Sequence, residues 1–426
     1  MVVSKQRAPE VIRRLLPIVE SRMGDEPVVL LQGPRTVGKS RLLIALAARC
    51  GGELLDLDDL GTRAAASADP AFLVRGPGPI LIDEYQHVPD VLAAIKAELN
   101  RDLRPGRFVL AGSTRHDALP AAAQALTGRL HRIDVLPLSQ GELDGATEHL
   151  LDDLFERPAD VTAGEGSNET RAASVERIVR GGFPLALART GDAARGRWFD
   201  DYLELTLERD VGELASLRRR ASLPRFLERL AGQTAQVLNI KKAAESSGLD
   251  WSTGELYLKL LESVFLVQRL PAWGTTLRAR ATSKPKIHVL DSGVAARLLR
   301  LTTDRLAGRD PAALTELGHL LETFVVGEIR KQASWMDGIT GLGHWRTSDG
   351  DEVDLIVERD DGSIVAFEVK ASSRVAGGDL TSLVKIRDAI GPRFVAGAAL
   401  YLGERSYTAS DRIHVLPVDR IWASLS

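Results

Sequence analysis

Gly33-Pro34-Arg35-Thr36-Val37-Gly38-Lys39-Ser40 reads G-x-x-x-x-G-K-S. It lies between an apolar run, Pro27-Val28-Val29-Leu30-Leu31, and a helix-period run from Ser40 to Ala48. A strand feeding a glycine loop that opens a helix is the context a phosphate-cradling P-loop needs. The glycines let backbone N–H groups converge on phosphate oxygens, and the helix N-terminus adds positive potential. Lys39 can reach the β- and γ-phosphates of a nucleoside triphosphate, and Ser40 can hold Mg²⁺ through its hydroxyl. Gly33 through Arg41 is the expected nucleotide-binding segment.

The next hundred residues repeat the pattern. Apolar strands at 28–31, 53–57, 80–82, 108–111 and 133–136 alternate with helical stretches, which predicts an α/β domain on a parallel sheet. Ile80-Leu81-Ile82 delivers Asp83 and Glu84 to the carboxyl edge of that sheet, where the phosphates lie. Asp83 is expected to bind Mg²⁺, and Glu84 to polarise the attacking water. Leu110-Ala111-Gly112 ends in Ser113 and Thr114. Ser113 is the first choice for a γ-phosphate contact and Thr114 the second; the plainer reading is a strand-end turn. Arg129 precedes the last strand. It is either an arginine finger acting on a neighbouring subunit's ATP, which requires a homo-oligomer, or an exposed surface residue.

At 426 residues the chain exceeds one compact core, so two or three domains are expected. A net charge of -3 gives no global push toward nucleic acid or an anionic membrane. Cys50 is the only cysteine, which excludes an intrachain disulfide and suits a reducing cytoplasm. Charges throughout the first thirty residues argue against a secretory signal, and no apolar run is long enough to span a bilayer. Residues up to about 25 read as an amphipathic helix. Residues 142–176 read as an acidic helix followed by a flexible loop, and 174–217 as helix interrupted by Gly181-Gly182-Phe183-Pro184.

Residues 222–270 have the pattern of a winged helix-turn-helix. Helices fall near 224–232 and 240–247, a third opens at a Ser252–Glu255 capping box, and a wing strand covers 265–267. Its presumed recognition helix carries Asp250, Glu255, Lys259 and Glu262, a poor complement to DNA. Basic residues lie elsewhere: Arg218, Arg219, Arg220, Lys241, Lys242, Arg278, Arg280, Lys284 and Lys286. They either flank a DNA backbone or form solvated surface; a lever between neighbouring domains is the favoured role. Trp198, Tyr202, Trp251 and Tyr257 are expected in helix interfaces. The histidines show no ligand spacing.

From about Leu314 the order is helix, three strands, helix, strand. Alternation in Glu352–Val357 sets Asp354 opposite Val353, Leu355 and Val357. In Ile364–Lys370, Glu368 and Lys370 share a face. A hairpin would bring Asp354 near Glu368 and Lys370, with Glu322 from the preceding helix as a further carboxylate. Asp354, Glu368 and Glu322 suit a second Mg²⁺ or Mn²⁺, and Lys370 a hydrolytic water. An ordinary solvated face, or a fold of this type without cleavage, explains the same residues.

The segments GPRTVGKS, ILIDE and LAGST resemble an AAA-type ATPase of the branch whose P-loop often reads GPRxVGKT. With GGFP at Gly181, LERD ending at Asp210, IHVLDSG from Ile287, LLETFVVGEI from Leu320, EVDLIV and FEVKAS, nearly the whole chain is similar to one prokaryotic family. That family joins a STAND-related AAA-type P-loop ATPase to a C-terminal domain of unknown function with a restriction-endonuclease-like, PD-(D/E)XK, core. The resemblance implies an AAA core over 1–145, a helical lid and linker over 146–220, a winged helix over 221–275 and the nuclease-like domain over 276–426. It implies ATP binding and Mg²⁺-dependent hydrolysis. It leaves open whether the C-terminal domain cleaves DNA or is silent.

Overall fold

The computed structural model describes residues 11–115, 126–164, 166–214, 219–276, 283–308 and 311–423. Strands β1 (Val28–Gln32), β2 (Glu53–Asp56), β3 (Ile80–Asp83), β4 (Phe108–Gly112) and β5 (Leu130–Asp134) form one sheet in the order β2-β3-β4-β1-β5. Every pairing is parallel. The inner strands are apolar on both sides because both faces are covered. Val29, Leu31, Val109 and Ala111 pack with Leu42, Leu43 and Leu46 of the Lys39–Cys50 helix. Val28, Leu30, Ile82 and Leu110 pack with Val91, Leu92 and Ile95 on the other face. β1 is an interior strand between β4 and the edge strand β5, and its carboxyl end opens into the crevice where such sheets bind ligands.

Two details differ from expectation here. β5 starts at Leu130, not near Ile133, because an edge strand needs no second apolar face; Leu130 and His131 are half-buried and Arg132 is exposed. The acidic stretch from Glu142 is helical over Gln140–Asp144 and Leu150–Glu156, but part of it is turned inward. Ser139 and Glu142 form a capping box on the Gln140–Asp144 helix, and Glu142 and Glu148 are buried.

In the middle of the chain, the Asp192–Leu205 helix runs through a π turn, Thr206–Asp210, into Val211–Leu214. Trp198 and Tyr202 stack at 5.2 Å within it. Helices Leu223–Ala231, Ile240–Ser246 and Trp251–Ser263 accompany a three-stranded antiparallel sheet of β6 (Gln236–Val237), β7 (Val267–Leu270) and β8 (Lys286–Val289), ordered β6-β8-β7. β8 carries this unit past residue 275, the boundary expected from sequence. The third helix is capped by Asp250, which accepts from Thr253 N at 2.9 Å, not by a Ser252 box. Trp251 is exposed rather than interfacial. The GGFP and LDSG segments lock together: Asp291 accepts from Gly182 N at 2.8 Å, and a Cβ on Gly181 would meet Asp291 Oδ1 at 2.2 Å.

The C-terminal region begins with the Pro311–Trp335 helix. β9 (Ile339–Arg346), β10 (Glu352–Arg359), β11 (Ile364–Lys370), β12 (Phe394–Tyr401), β13 (Tyr407–Ser410) and β14 (Ile413–Pro417) form a mixed sheet ordered β13-β14-β12-β11-β10-β9. The Thr381–Ile390 helix precedes β12, as expected; β13 and β14 are additional. A register shift between Val353 and Ile356 breaks the simple alternation of β10. Val353 then joins Ile356, Ile364 and Ala366 in one core layer, while Leu355 and Val357 face the other with Phe367 and Leu321.

Candidate functional site

The loop from Gly33 to Gly38 turns at the carboxyl end of β1. Gly33 passes so close to Val135 that a Cβ would lie 2.1 Å from its carbonyl oxygen, and Gly38 has φ +98°. Thr36 also takes a left-handed conformation, φ 64°. Pro34 and Val37 are buried, while Thr36, Ser40 and Arg41 are exposed at the mouth. Lys39 is buried and bends back over the loop, donating to Gly33 O at 2.9 Å and Pro34 O at 2.8 Å. Its pKa is lowered to about 8, first by burial; Glu84 and Asp83 offset part of that.

β3 and β4 bring the other groups to the same edge. The Ser40 hydroxyl hydrogen-bonds Asp83, whose pKa is raised chiefly by burial. Both are oxygen donors beside the loop, which suits a Mg²⁺ bound with phosphate. Glu84 follows in a left-handed conformation, φ 51°, and is buried. Strain of this kind in a non-glycine residue is commonly kept where a side chain must be aimed. Gln86 Nε2 donates to Glu84 Oε2 and, at 3.1 Å, to Ser113 Oγ. It thus ties the expected base to the expected γ-phosphate contact. A Cβ on Gly112 would meet the Tyr85 ring at 2.7 Å and Gln86 Oε1 at 2.9 Å, so glycine is required there. Thr114 is buried beside Ser113.

Sequence reasoning missed three further groups that hold this edge. Arg13 donates to Val37 O at 2.7 Å, to Leu136 O at 2.8 Å and to Glu142 at 3.0 Å. Asp210 of the π turn is buried and pairs at 2.7 Å with Arg35, itself one of the expected loop residues. Gln86 is the third. No spacing in the chain signals any of them, and the LERD segment that holds Asp210 carries no local sign of its partner. Past Ser113, Arg115 docks on the middle unit, donating to Glu262 O at 3.0 Å and lying over the Phe265 ring at 4.6 Å.

Arg129 stands apart. It donates to Asn100 Oδ1 at 2.7 Å and immediately precedes β5. Leu130 pairs with Val28, so Arg129 lies at the amino edge of the sheet, away from its own chain's loop.

The C-terminal residues meet differently from expectation. Glu322 and Asp354 do converge, but on the ammonium of Lys286, at 2.6 and 3.0 Å, with Glu352 at 2.6 Å. Lys286, expected to flank a DNA backbone or to form solvated surface, is only 1% exposed. Burial alone would lower its pKa, but Asp354, Glu322 and Glu352 outweigh that and raise it. Asp354 Oδ2 accepts from Val369 N at 2.9 Å. Glu368 pairs with Lys370 at 2.8 Å, and its pKa is pushed up to about 8 by burial and by Asp354. These residues do not fit a second Mg²⁺ or Mn²⁺: a lysine already fills the centre. Among the described residues no group of three or more His, Cys, Asp or Glu is arranged to hold a metal ion.

Of the basic residues weighed for DNA, Arg218, Arg278 and Arg280 lie outside the described residues. Arg219 donates to Gly248 O at 2.7 Å. No helix among the described residues is long and apolar enough to cross a membrane.

Residues 25–144 match a family described as an AAA domain. Residues 171–305 match the domain of unknown function DUF8612, and residues 317–421 the domain of unknown function DUF4143. The uncharacterized protein Rv2008c of Mycobacterium tuberculosis is 29% identical over 403 residues, spanning 93% of this chain and 81% of that protein. The uncharacterized protein Mb2031c of Mycobacterium bovis matches equally. Among solved structures, the Walker-type ATPase PABY2304 of Pyrococcus abyssi has a TM-score of 0.40 at 16% identity, covering 68% of this chain and 96% of that one. The RuvB Holliday junction branch migration motor of Thermotoga maritima has a TM-score of 0.28 at 17% identity, covering 67% and 93%. The parallel sheet, its glycine loop and the matched AAA domain agree that this part of the chain is an AAA-type P-loop NTPase core.

Proposed function

We propose that the chain binds ATP with Mg²⁺ at Gly33–Arg41, hydrolyses it to ADP and phosphate, and passes the nucleotide state to its C-terminal half. The observation that carries this reading is the convergence of Lys39, Ser40, Asp83, Glu84 and Ser113 at one edge of one parallel sheet. On ATP binding, Lys39 exchanges the carbonyls of Gly33 and Pro34 for phosphate oxygens. Ser40 and Asp83 hold Mg²⁺, which neutralises phosphate charge. Glu84 accepts the proton of the attacking water, and Ser113 steadies the γ-phosphate. Gln86 holds Glu84 and Ser113 together until phosphate competes for Ser113. Arg129, at the sheet edge away from its own loop, would act on a neighbouring subunit's ATP, which makes a homo-oligomer part of this reading. A reducing cytoplasm suits the lone Cys50.

Signal routes are built of contacts that reach out from this edge. Arg35–Asp210 joins the loop to the middle helices, and Arg115 joins the Ser113 segment to the helix ending at Ser263. Gln140 N donates to Glu328 Oε2 at 2.9 Å, and Lys331 to Leu138 O at 3.1 Å, linking the core to the Pro311–Trp335 helix. The middle unit, in a winged-helix arrangement, serves as the lever between them. Lys286 favours a second element of the reading: the C-terminal domain is a nuclease-like fold that binds or couples without cleaving. Action on DNA receives no support from the acidic third helix.

The test is a pair of variants. Lys39→Ala should abolish nucleotide uptake in calorimetry. Glu84→Gln should retain uptake and lose about 10²–10⁴-fold in turnover. Normal turnover in Lys39→Ala would refute the assignment.

A further inference from the structure

Lys286 joins two parts of the chain. Its backbone belongs to β8, paired with Val237 of β6 on one side and Leu270 of β7 on the other. Its ammonium belongs to the C-terminal region, among Glu322 of the long helix and Glu352 and Asp354 of β10. An ammonium has three donors, and three carboxylates meet it. The seam continues one pair along: Thr234 Oγ1 lies 2.8 Å from Thr323 Oγ1, and His288 Nδ1 lies 3.2 Å from the same oxygen. All of these except Glu352 are buried.

A divalent ion on the same oxygens would sit about 2.1 Å from each. The ammonium lies 2.6–3.0 Å from them, so ion and lysine claim one place. The ladder fixes the root of the side chain, so metal entry would require Lys286 to withdraw its ammonium from three acids.

We propose that Lys286 is the resident cation of the C-terminal carboxylates: it pins the middle sheet to the C-terminal sheet and excludes divalent metal while it is in place. This stands apart from the ATPase reading, since no residue of the P-loop takes part.

Mn²⁺ titrated into the nucleotide-free full chain, followed by the EPR signal of the free ion, tests the exclusion. Wild type and Asp354→Asn should take up equal amounts, so any ion near the P-loop cancels. Lys286→Met should gain an additional Mn²⁺, and Lys286→Met/Asp354→Asn should lose it again. Wild-type uptake abolished by Asp354→Asn would overturn the proposal, as would a folded Lys286→Met chain with no gain. Should Lys286→Met fail to fold, the wild-type and Asp354→Asn pair still decides. Amide exchange tests the pin: Glu322→Gln should speed exchange at β8 by about tenfold or more and leave β1 and β4 unchanged. Unchanged exchange at β8 would sink it.

Discussion

Two buried lysines set the halves of this molecule against each other. Lys39 and Lys286 are both nearly sealed from solvent, and both lie near carboxylates. Burial dominates at Lys39, whose ammonium touches only carbonyl oxygens, and its pKa falls to about 8. At Lys286 three carboxylates in direct contact prevail, and its pKa rises. The first lysine is a charge held without an anion, which is the condition of a site built to receive one. The second is already neutralised. Similar residue types thus make a receptive site in one half and a closed one in the other; which results depends on whether the anion is covalently part of the chain.

The sharpest way to break this contrast is to delete each charge. Lys286→Met should destabilise the fold by about 3–5 kcal/mol, because it strands buried acids. Lys39→Met should leave stability unchanged or raise it, because a buried, poorly paired charge is removed. Urea unfolding of the two variants beside wild type measures both. Equal losses would erase the distinction.

A smaller effect sharpens the closed half. Glu368 faces Asp354, Lys370 and, farther off, Lys286, and holds its proton to about pH 8 in the fold, against 4.5 as the ordinary value. Between those values the folded chain keeps a proton that the unfolded chain has lost. Stability should therefore fall as pH rises from 4.5 to 8, by at most about 1.4 kcal/mol per pH unit. Glu368→Gln should flatten that slope when unfolding is followed across the same range. A wild-type slope that survives the substitution would assign the proton elsewhere.

The contrast also explains what could be read from the sequence. The glycine loop was legible because a contiguous segment makes it, and Asp83 and Glu84 because an apolar strand points at them. Gln86, Arg13 and Asp210 were not: Arg35 and Asp210 are 175 residues apart and meet only through tertiary packing. The burial of Lys286 was not legible, because Lys284 and the arginines before it resemble an exposed basic run. Only the pairing of β8 turns it inward. Asp354, Glu368 and Lys370 were legible as neighbours, but the Lys286 ammonium against Asp354 was not, because a hairpin pattern carries no information about a third element inserting a cation. The simple face assignment on β10 failed at its register shift, which no composition signals.

The smallest effect tests the receptive half. Nucleotide phosphates bind the protonated form of Lys39, whose pKa in the free chain is about 8. Phosphate beside the ammonium raises that pKa, so binding above pH 8 must take up a proton. Below about pH 8 the lysine is already charged, and ATP affinity should be flat with respect to this group. Above it, affinity should fall, by at most about tenfold per pH unit. Calorimetry between pH 7 and 9.5 in buffers of different ionisation enthalpy measures both the fall and the proton. In Lys39→Arg, which stays charged throughout, whatever affinity remains should lose the dependence. An affinity that is level through pH 9 in the wild-type chain would mean that Lys39 is already stabilised as a cation before nucleotide arrives, and the two lysines would then be alike.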